Sequence, residues 1–284
     1  MNVIRAEVLG MCFGVRDALK RMGTIPDPSE VTIHGQLVHN EVVVNDLRER
    51  GFAAAAEDGR RGIPPTPVVL ITAHGVSDRE RQRLQQAGKQ LIDTTCPLVK
   101  RAHQAAMTLR SEGFFVLVIG RRNHVEIRGI VEDLSDYEVI ESVEAVRTYP
   151  SNRLGILSQT TATSRDVDRI RDAIRFENPA AEIRWIDTVC LPTKEHQRSL
   201  ERMLEHVDAV VVVGGKHSNN TKELTRLCLE HGKPALQVGS AAEIEVEWLE
   251  RFETVGLTAG TSTLDTTIDE VEAAIRAIRK TCLA

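Results

Sequence analysis

Three stretches of this chain repeat one design, and that repeat limits the possible folds more than any other feature. Leu91 to Ala106, LIDTTCPLVKRAHQAA, reads as a buried strand, an Asp-Thr-Thr turn, Cys96, Pro97 and an amphipathic helix. Proline suits the first turn of a helix, where its missing N–H costs nothing. Cys96 therefore falls at a strand end and a helix N-terminus, where converging backbone N–H groups favour a thiolate. The design returns 94 residues later around Cys190 (IDTVCLPTKEHQRSLERM), and a looser copy lies 84 residues earlier around Cys12 (VLGMCFGVRDALKRM). Spacings of this length point to an internal threefold repeat.

Two further elements recur in register. Each cysteine is followed by an apolar run ending in glycine, at distances of 23, 24 and 24 residues: Gly35, Gly120 and Gly214. Four residues beyond each glycine stand His39, His124 and Ser218. The third element is a strand, a turn of small polar residues and a helix: VVLITAHGVSD with His74, LGILSQTTATSRD with Thr160, and TVGLTAGTSTLD with Ser262. All nine positions fall at the C-terminal ends of expected parallel strands, where open α/β sheets bind their ligands. Threefold packing would direct them at one centre.

The remaining pattern agrees. Strands alternate with helices, as in α/β proteins with parallel sheets. Phe114–Ile119 is wholly apolar, as a strand covered on both faces requires. Strands are expected over 2–9, 31–35, 68–71, 89–93, 114–119, 137–141, 154–157, 209–213, 235–238 and 255–258. Ser77, with Glu80 three residues on, is expected to open one helix as a capping box, and Ser164 to cap another. A division into three α/β domains follows: residues 1–95 with Cys12, 96–187 with Cys96, and 188–264 with Cys190. Residues 265–284 are expected to pack back on the first. At 284 residues, two or three domains is the natural count.

Composition narrows the function. A net charge of −5 and 4% aromatic residues leave neither the basic stripe nor the stacking platforms of a nucleic-acid binder. No run is long enough for a membrane helix, and the N-terminus lacks the apolar core of a signal peptide. Five cysteines without paired spacing do not form a secreted disulfide framework. A cytoplasmic location is expected.

One cysteine alone would read as an inert core thiol. Cys228, on a helix face with Leu224 and Leu227, fits that description, and Cys282 lies in the tail. Three cysteines at equivalent strand-to-helix turns point instead to a metal. Zinc draws its ligands from close pairs such as C-x-x-C, and none occurs here. An iron–sulfur cluster is wide enough to be reached from three domains. Three cysteines on a cubane leave one iron open, able to act as a Lewis acid as well as to pass electrons. Around it the histidines His39, His74 and His124 occupy turns rather than helix faces. Ser218, Asn219, Asn220 and Ser262, at helix starts, form an anion site built from neutral donors. Plain N-capping is the other role open to Ser218 and Asn220. Glu126, two residues after His124, is a candidate proton donor with Thr160 as its relay or holder; a helix-dipole partner is its other reading.

As an ordered set, GMCFGV, LVHN, TAHGVS, DTTCPLV, the His124-x-Glu126 turn, SQTT, the Cys190 segment, SNNTKEL and TAGTST resemble the LytB/IspH family. Its members are the 4-hydroxy-3-methylbut-2-enyl diphosphate reductases of the non-mevalonate isoprenoid pathway. The resemblance runs the length of the chain. It implies a pseudo-threefold trefoil of three similar α/β domains around a central [4Fe-4S] cluster. Cys12, Cys96 and Cys190 match the cluster ligands, with one iron left open. A [3Fe-4S] form is expected where that iron is lost in air. His39, His74 and His124 match substrate contacts, and Ser218, Asn220 and Ser262 a diphosphate clamp with Asn219 beside it. Glu126 matches the proton donor and Thr160 its partner. The implied reaction is reductive dehydroxylation to isopentenyl and dimethylallyl diphosphate, with electrons from a ferredoxin or flavodoxin. The chain departs from the family's usual pattern at Val125, where a proline is common, and at Leu191–Gln197. Two alternatives stand beside this reading. One is a divergent paralogue acting on another allylic or phosphorylated substrate; the other is a cluster-based redox sensor.

Overall fold

The computed structural model describes residues 1–55 and 62–278. Its strands form three parallel sheets of four. The elements, in chain order, are β1 (Asn2–Arg5), α1 (Phe13–Gly23), β2 (Val31–Ile33), α2 (Glu41–Glu49), β3 (Ala53–Ala54), β4 (Val68–Ile71), α3 (Asp78–Gln86) and β5 (Gln90–Asp93). They continue with α4 (Pro97–Ser111), β6 (Phe115–Ile119), α5 (Val125–Val131), β7 (Tyr137–Ile140), β8 (Arg153–Ser158), α6 (Ser164–Glu177) and β9 (Glu182–Trp185). The last are α7 (Leu191–Leu204), β10 (Ala209–Val213), α8 (Asn219–Glu230), β11 (Ala235–Val238), α9 (Val246–Leu249), β12 (Thr254–Ala259) and α10 (Asp265–Ala277).

The three sheets share one strand order: β3-β2-β4-β5, β7-β6-β8-β9 and β11-β10-β12-β1. In each, a central strand (β2, β6 or β10) pairs with the next two strands of the chain, and a fourth strand joins the outer edge of the second of these. These are three similar α/β domains. The fourth strand is in every case the one that runs on to a cysteine: β1 to Cys12, β5 to Cys96 and β9 to Cys190. The helix after each cysteine then leads to the next sheet in the series. Each cysteine thus marks the point where the chain leaves one sheet for another.

This corrects the division drawn from the sequence. Residues 1–95 do not form one domain, because β1 pairs with β12, with Val3 opposite Val255. The repeat ends on its fourth strand, so the copy that closes the third sheet lies at the other end of the chain. By compactness the chain forms two units. One contains Met1–Val15, His39–Val43 and Leu191–Ala284, and the other Arg16–Val38 and Val44–Cys190.

Packing follows from period-two strands buried on both faces. In the first unit, Val211 and Val213 pack with Ile268, Val271 and Ile275 of α10 on one side of the sheet. Val210 and Val212 pack with Leu200 and Met203 of α7 and Leu224 and Leu227 of α8 on the other. In the second unit, Val116 and Val118 meet Leu109 of α4 and Ile127 and Ile130 of α5. Leu117 and Ile119 meet Val167, Ile170 and Ile174 of α6. Sequence patterning misses β3, which is two residues long, and marks β9 only through the repeat that ends in Cys190, since the EIRW pattern of this edge strand carries only partial burial. Ser77 caps α3 as expected, its Oγ accepting from the Glu80 N–H. Glu80 does not return the bond: its carboxylate takes His34 and Arg83 instead. Thr163, not Ser164, is the residue that precedes α6.

Two glycines at matching places seat the helices that follow Cys96 and Cys190. A methyl at Gly155 of β8 would meet Leu109 Cδ2 at 2.8 Å and its Cβ at 3.1 Å. A methyl at Gly256 of β12 would meet Met203 Cε at 2.7 Å and Sδ at 3.1 Å. Methionine bends away where a leucine gripped near its Cβ does not. Gly155→Ala is therefore expected to cost about 1–3 kcal/mol as overpacking, and Gly256→Ala clearly less. Denaturant titration of the two variants checks this; an equal or reversed order would show that these contacts do not set the helix seats.

Candidate functional site

The three repeated cysteines are held alike. The backbone N–H of Cys12 donates to the Thr261 carbonyl at 3.0 Å, that of Cys96 to Ala73 at 3.1 Å, and that of Cys190 to Thr160 at 2.9 Å. Each acceptor lies two residues beyond a strand of the same sheet, after β12, β4 and β8 respectively. One residue after each cysteine a helix begins. All three cysteines are partly exposed, whereas Cys228 is fully buried. Burial pushes the Cys228 thiol up to about 12, so it stays protonated and inert, as the sequence suggests. Cys282 lies outside the described residues. Three soft sulfur donors at equivalent, partly open helix starts are the ligand chemistry of an iron–sulfur group.

In the larger unit, six of the expected site residues are joined in one run. Cys190 is tied to Thr160, as above. Thr160 donates to Glu126 twice, from its N–H at 2.7 Å and its Oγ1 at 2.8 Å. Glu126 is the second residue of α5, and its N–H donates to Nδ1 of His124, the N-cap, at 3.2 Å. His124 meets His74 edge to face, with ring centroids 5.6 Å apart. His74 follows Ala73, the residue that anchors Cys96. Gly75 makes this last turn possible: its φ is +73°, and a Cβ there would lie 2.9 Å from Thr95. Since Nδ1 of His124 accepts a hydrogen bond, a neutral ring carries its proton on Nε2 and offers a donor there. Val125 occupies the first helical position, where proline would fit without loss. The departure from the usual family residue therefore leaves the turn intact.

Glu126 is the electrostatic outlier. It is 2% exposed. Burial raises its carboxyl to about 7, against the lowering effect of the two Thr160 hydrogen bonds. A group so placed holds a proton near neutral pH and can release it when charge develops nearby. A cavity of about 310 Å³ reaches it, lined also by His74, Thr95, Lys100 and His103. His103 is not adrift there: its Nε2 lies 2.8 Å from Asp133, whose carboxylate also accepts the N–H groups of Asp78 and Arg79 at the start of α3. This is a structural role.

In the smaller unit the remaining site residues assemble around the start of α8. Ser218 is its N-cap, accepting from the Thr221 N–H at 3.3 Å. Asn219 and Asn220 form its first turn and are buried. Asn220 Oδ1 accepts from the Thr261 N–H at 3.0 Å, while its buried Nδ2 has no hydrogen-bond partner among the described residues. An orphaned buried donor at a helix N-terminus is suited to an anion. Ser262 sits in the turn that anchors Cys12, and its Oγ donates to the His39 carbonyl at 3.5 Å. His39 thus adjoins the serine turn through its backbone. Capping and anion binding are both open to Ser218 and Asn220 in the sequence, and capping does not exclude an anion. Ser218 does cap, but the Asn220 side chain bonds across to another turn.

Asn40 carries no weight in the sequence reading, yet it is 5% exposed and bonds to both the α2 N-terminus and the Ser262 turn. Its one local sign is an Asn ahead of an amphipathic helix, a capping signal. His196 is another residue that spacing does not flag. It is buried, and its Nδ1 lies 3.1 Å from the Ala259 carbonyl. Burial holds it down to about 4, so it is neutral and donates to that carbonyl.

Known proteins share both the sequence pattern and the fold of this chain. A sequence model of the LytB protein family matches residues 3–276. A 4-hydroxy-3-methylbut-2-enyl diphosphate reductase of Anaeromyxobacter sp. (strain Fw109-5) is 31% identical over 283 residues, covering 99% of each chain. The protein of that name from Aquifex aeolicus (strain VF5) is 31% identical over 98% of this chain and 97% of its own. A solved (E)-4-hydroxy-3-methyl-but-2-enyl diphosphate reductase, described as the terminal enzyme of the non-mevalonate pathway, superposes with a TM-score of 0.67. It is 31% identical and covers 98% of this chain and 99% of that one. The reductase structure from Plasmodium falciparum shares the fold, with a TM-score of 0.87 at 23% identity over 96% of this chain and 87% of that one.

The Glu126 environment yields a pH signature. Its folded value, about 7, lies above the ordinary 4.5. Between those limits the native state binds more protons than the unfolded state, so stability falls as pH rises through the window. The full decline is on the order of a few kcal/mol. Urea titrations at several pH values should show this decline in the native protein and a flatter profile in Glu126→Gln. Parallel profiles would mean that the carboxyl is not held protonated.

Proposed function

Because the chain belongs to the LytB protein family, we propose that it is an iron–sulfur oxidoreductase that converts 4-hydroxy-3-methylbut-2-enyl diphosphate to isopentenyl and dimethylallyl diphosphate. The reaction replaces an allylic hydroxyl by hydrogen. It consumes two electrons and two protons and releases one water. Cys12, Cys96 and Cys190 would hold a [4Fe-4S] cluster, which when bound supplies the electrons and, at its one open iron, Lewis acidity. The equivalent anchoring of the three cysteines supports this assignment, as does the inert placement of Cys228.

The side chains then divide the work. Ser218, Asn219, Asn220 and Ser262 bind the diphosphate, with the α8 N-terminus and the unpartnered Asn220 amide supplying neutral donors. His39, His74 and His124 face the substrate; with Nδ1 of His124 occupied by the Glu126 N–H, that ring presents its donor from Nε2. Glu126 delivers a proton to the departing hydroxyl oxygen, which leaves as water. Thr160 fixes the carboxyl through both of its donors and orients it for that transfer. A pKa near 7 suits a donor that must be protonated at rest and ionised after reaction. The single observation that carries the reading is the hydrogen-bonded run from Cys190 through Thr160 and Glu126 to His124. It links a proposed cluster ligand to a carboxyl kept protonated by burial. The electron donor would be a small ferredoxin or flavodoxin in the cytoplasm. Among the described residues no helix is long and apolar enough to cross a membrane.

Purified without oxygen, the protein should be brown and should consume the diphosphate substrate with a chemical reductant. Glu126→Gln should retain the cluster and bind substrate, yet turn over about 10²–10⁴-fold more slowly, the usual weight of a general acid. Full activity in that variant removes the proton-donor role. Anaerobic Mössbauer spectra with and without substrate test the cluster itself: a spectrum blind to substrate would argue against an open iron. A colourless protein after iron and sulfide reconstitution would reject the cluster.

A further inference from the structure

We infer that Asn40 is a positioning residue for diphosphate recognition, tethering the Ser262 turn to the His39 turn. This rests on the diphosphate reading of the serine and asparagine cluster. Asn40 is 5% exposed and uses both ends of its amide. Its Oδ1 accepts from the N–H groups of Val42 at 2.9 Å and Val43 at 3.3 Å, capping α2. Its Nδ2 donates to the Ser262 carbonyl at 2.7 Å, across 222 residues of sequence. A cap needs only the acceptor; serine or aspartate would serve. The amide donor is what fixes Ser262.

The neighbouring turns leave this tether little slack. A Cβ at Gly215, three residues before Ser218, would lie 2.7 Å from the His39 carbonyl and 3.3 Å from Asn40 Cα. The turn leading to Ser218 therefore rests on the backbone of residues 39 and 40. Asn220 holds Thr261, the residue before Ser262, through Oδ1. Ser262 Oγ, directed at the His39 carbonyl at 3.5 Å, makes only a long bond there and can turn to an anion. Asn40 thus fixes the backbone of a hydroxyl whose own bond is weak. Without the tether, the Ser262 hydroxyl samples more positions, and each bound diphosphate must order it anew.

Asn40→Asp separates the two functions. It keeps the acceptor for Val42 and Val43 and replaces the donor by an oxygen that repels the Ser262 carbonyl. In the reconstituted holoprotein, calorimetry with inorganic diphosphate should show affinity lowered roughly three- to tenfold, the loss of about one hydrogen bond's worth. KM for the full substrate should rise in parallel, with kcat changed less. In a Ser262→Ala background the same substitution should have little further effect on diphosphate affinity, because the tether acts through that hydroxyl. If Asn40→Asp fails to fold, Asn40→Ser, which keeps a cap and cannot reach Ser262, carries the same comparison. Unchanged diphosphate affinity in the variant, or a full additional loss on top of Ser262→Ala, overturns the tether. Failure of the parent protein to bind inorganic diphosphate would instead sink the anion site, and the tether's purpose with it.

Discussion

In each domain the backbone N–H of a cysteine donates to a carbonyl two residues past a neighbouring strand, and this one hydrogen bond, made three times, organises the molecule. The bond closes the exit of the fourth strand against the turn beside it. It fixes the sulfur at the mouth of the sheet, one residue before a helix begins. A strand end is a poor place to leave a backbone donor unpaired, so the bond also satisfies the chain at the point where it changes sheets. Much of the proposed site lies within one or two positions of these anchors. His74 adjoins Ala73, Thr160 is itself an acceptor, and Ser262 adjoins Thr261.

The three copies have diverged in what surrounds the anchor. In the middle of the chain the turn carries a hydroxyl and an N–H that grip a buried carboxyl. Near the C-terminus the corresponding turn is bound by an asparagine from a helix start and another from a distant loop. The first arrangement buries a carboxyl and raises its pKa; the second presents neutral donors at a helix terminus. The proposed proton delivery and anion recognition are thus two elaborations of one structural unit. Neutral donors suit a charged group that must also leave as product, since they bind without the full strength of a charged pair.

Much of this is legible in the sequence. The cysteine-to-glycine spacings expose the repeat, and the wholly apolar strands require sheets covered on both faces, as the complete burial of Ala209–Val213 bears out. Glu126 can be singled out by its place two residues after His124. Its raised pKa cannot, because that comes from burial in the folded chain, set against bonds from Thr160, 34 residues away. Asn40 looks like an ordinary cap because capping leaves a local sign, while a bond to Ser262 leaves none.

Short-range periodicity and spacing along the chain were enough to set the repeat, the α/β class and the residue types at each strand end. Which strand closes which sheet was settled only on folding, with β1 crossing to β12 rather than staying with its neighbours in sequence. So was the choice of turn that each buried amide and carboxyl serves. Edge pairing and buried hydrogen bonds are satisfied by whichever backbone arrives in space, and no local pattern records that arrival.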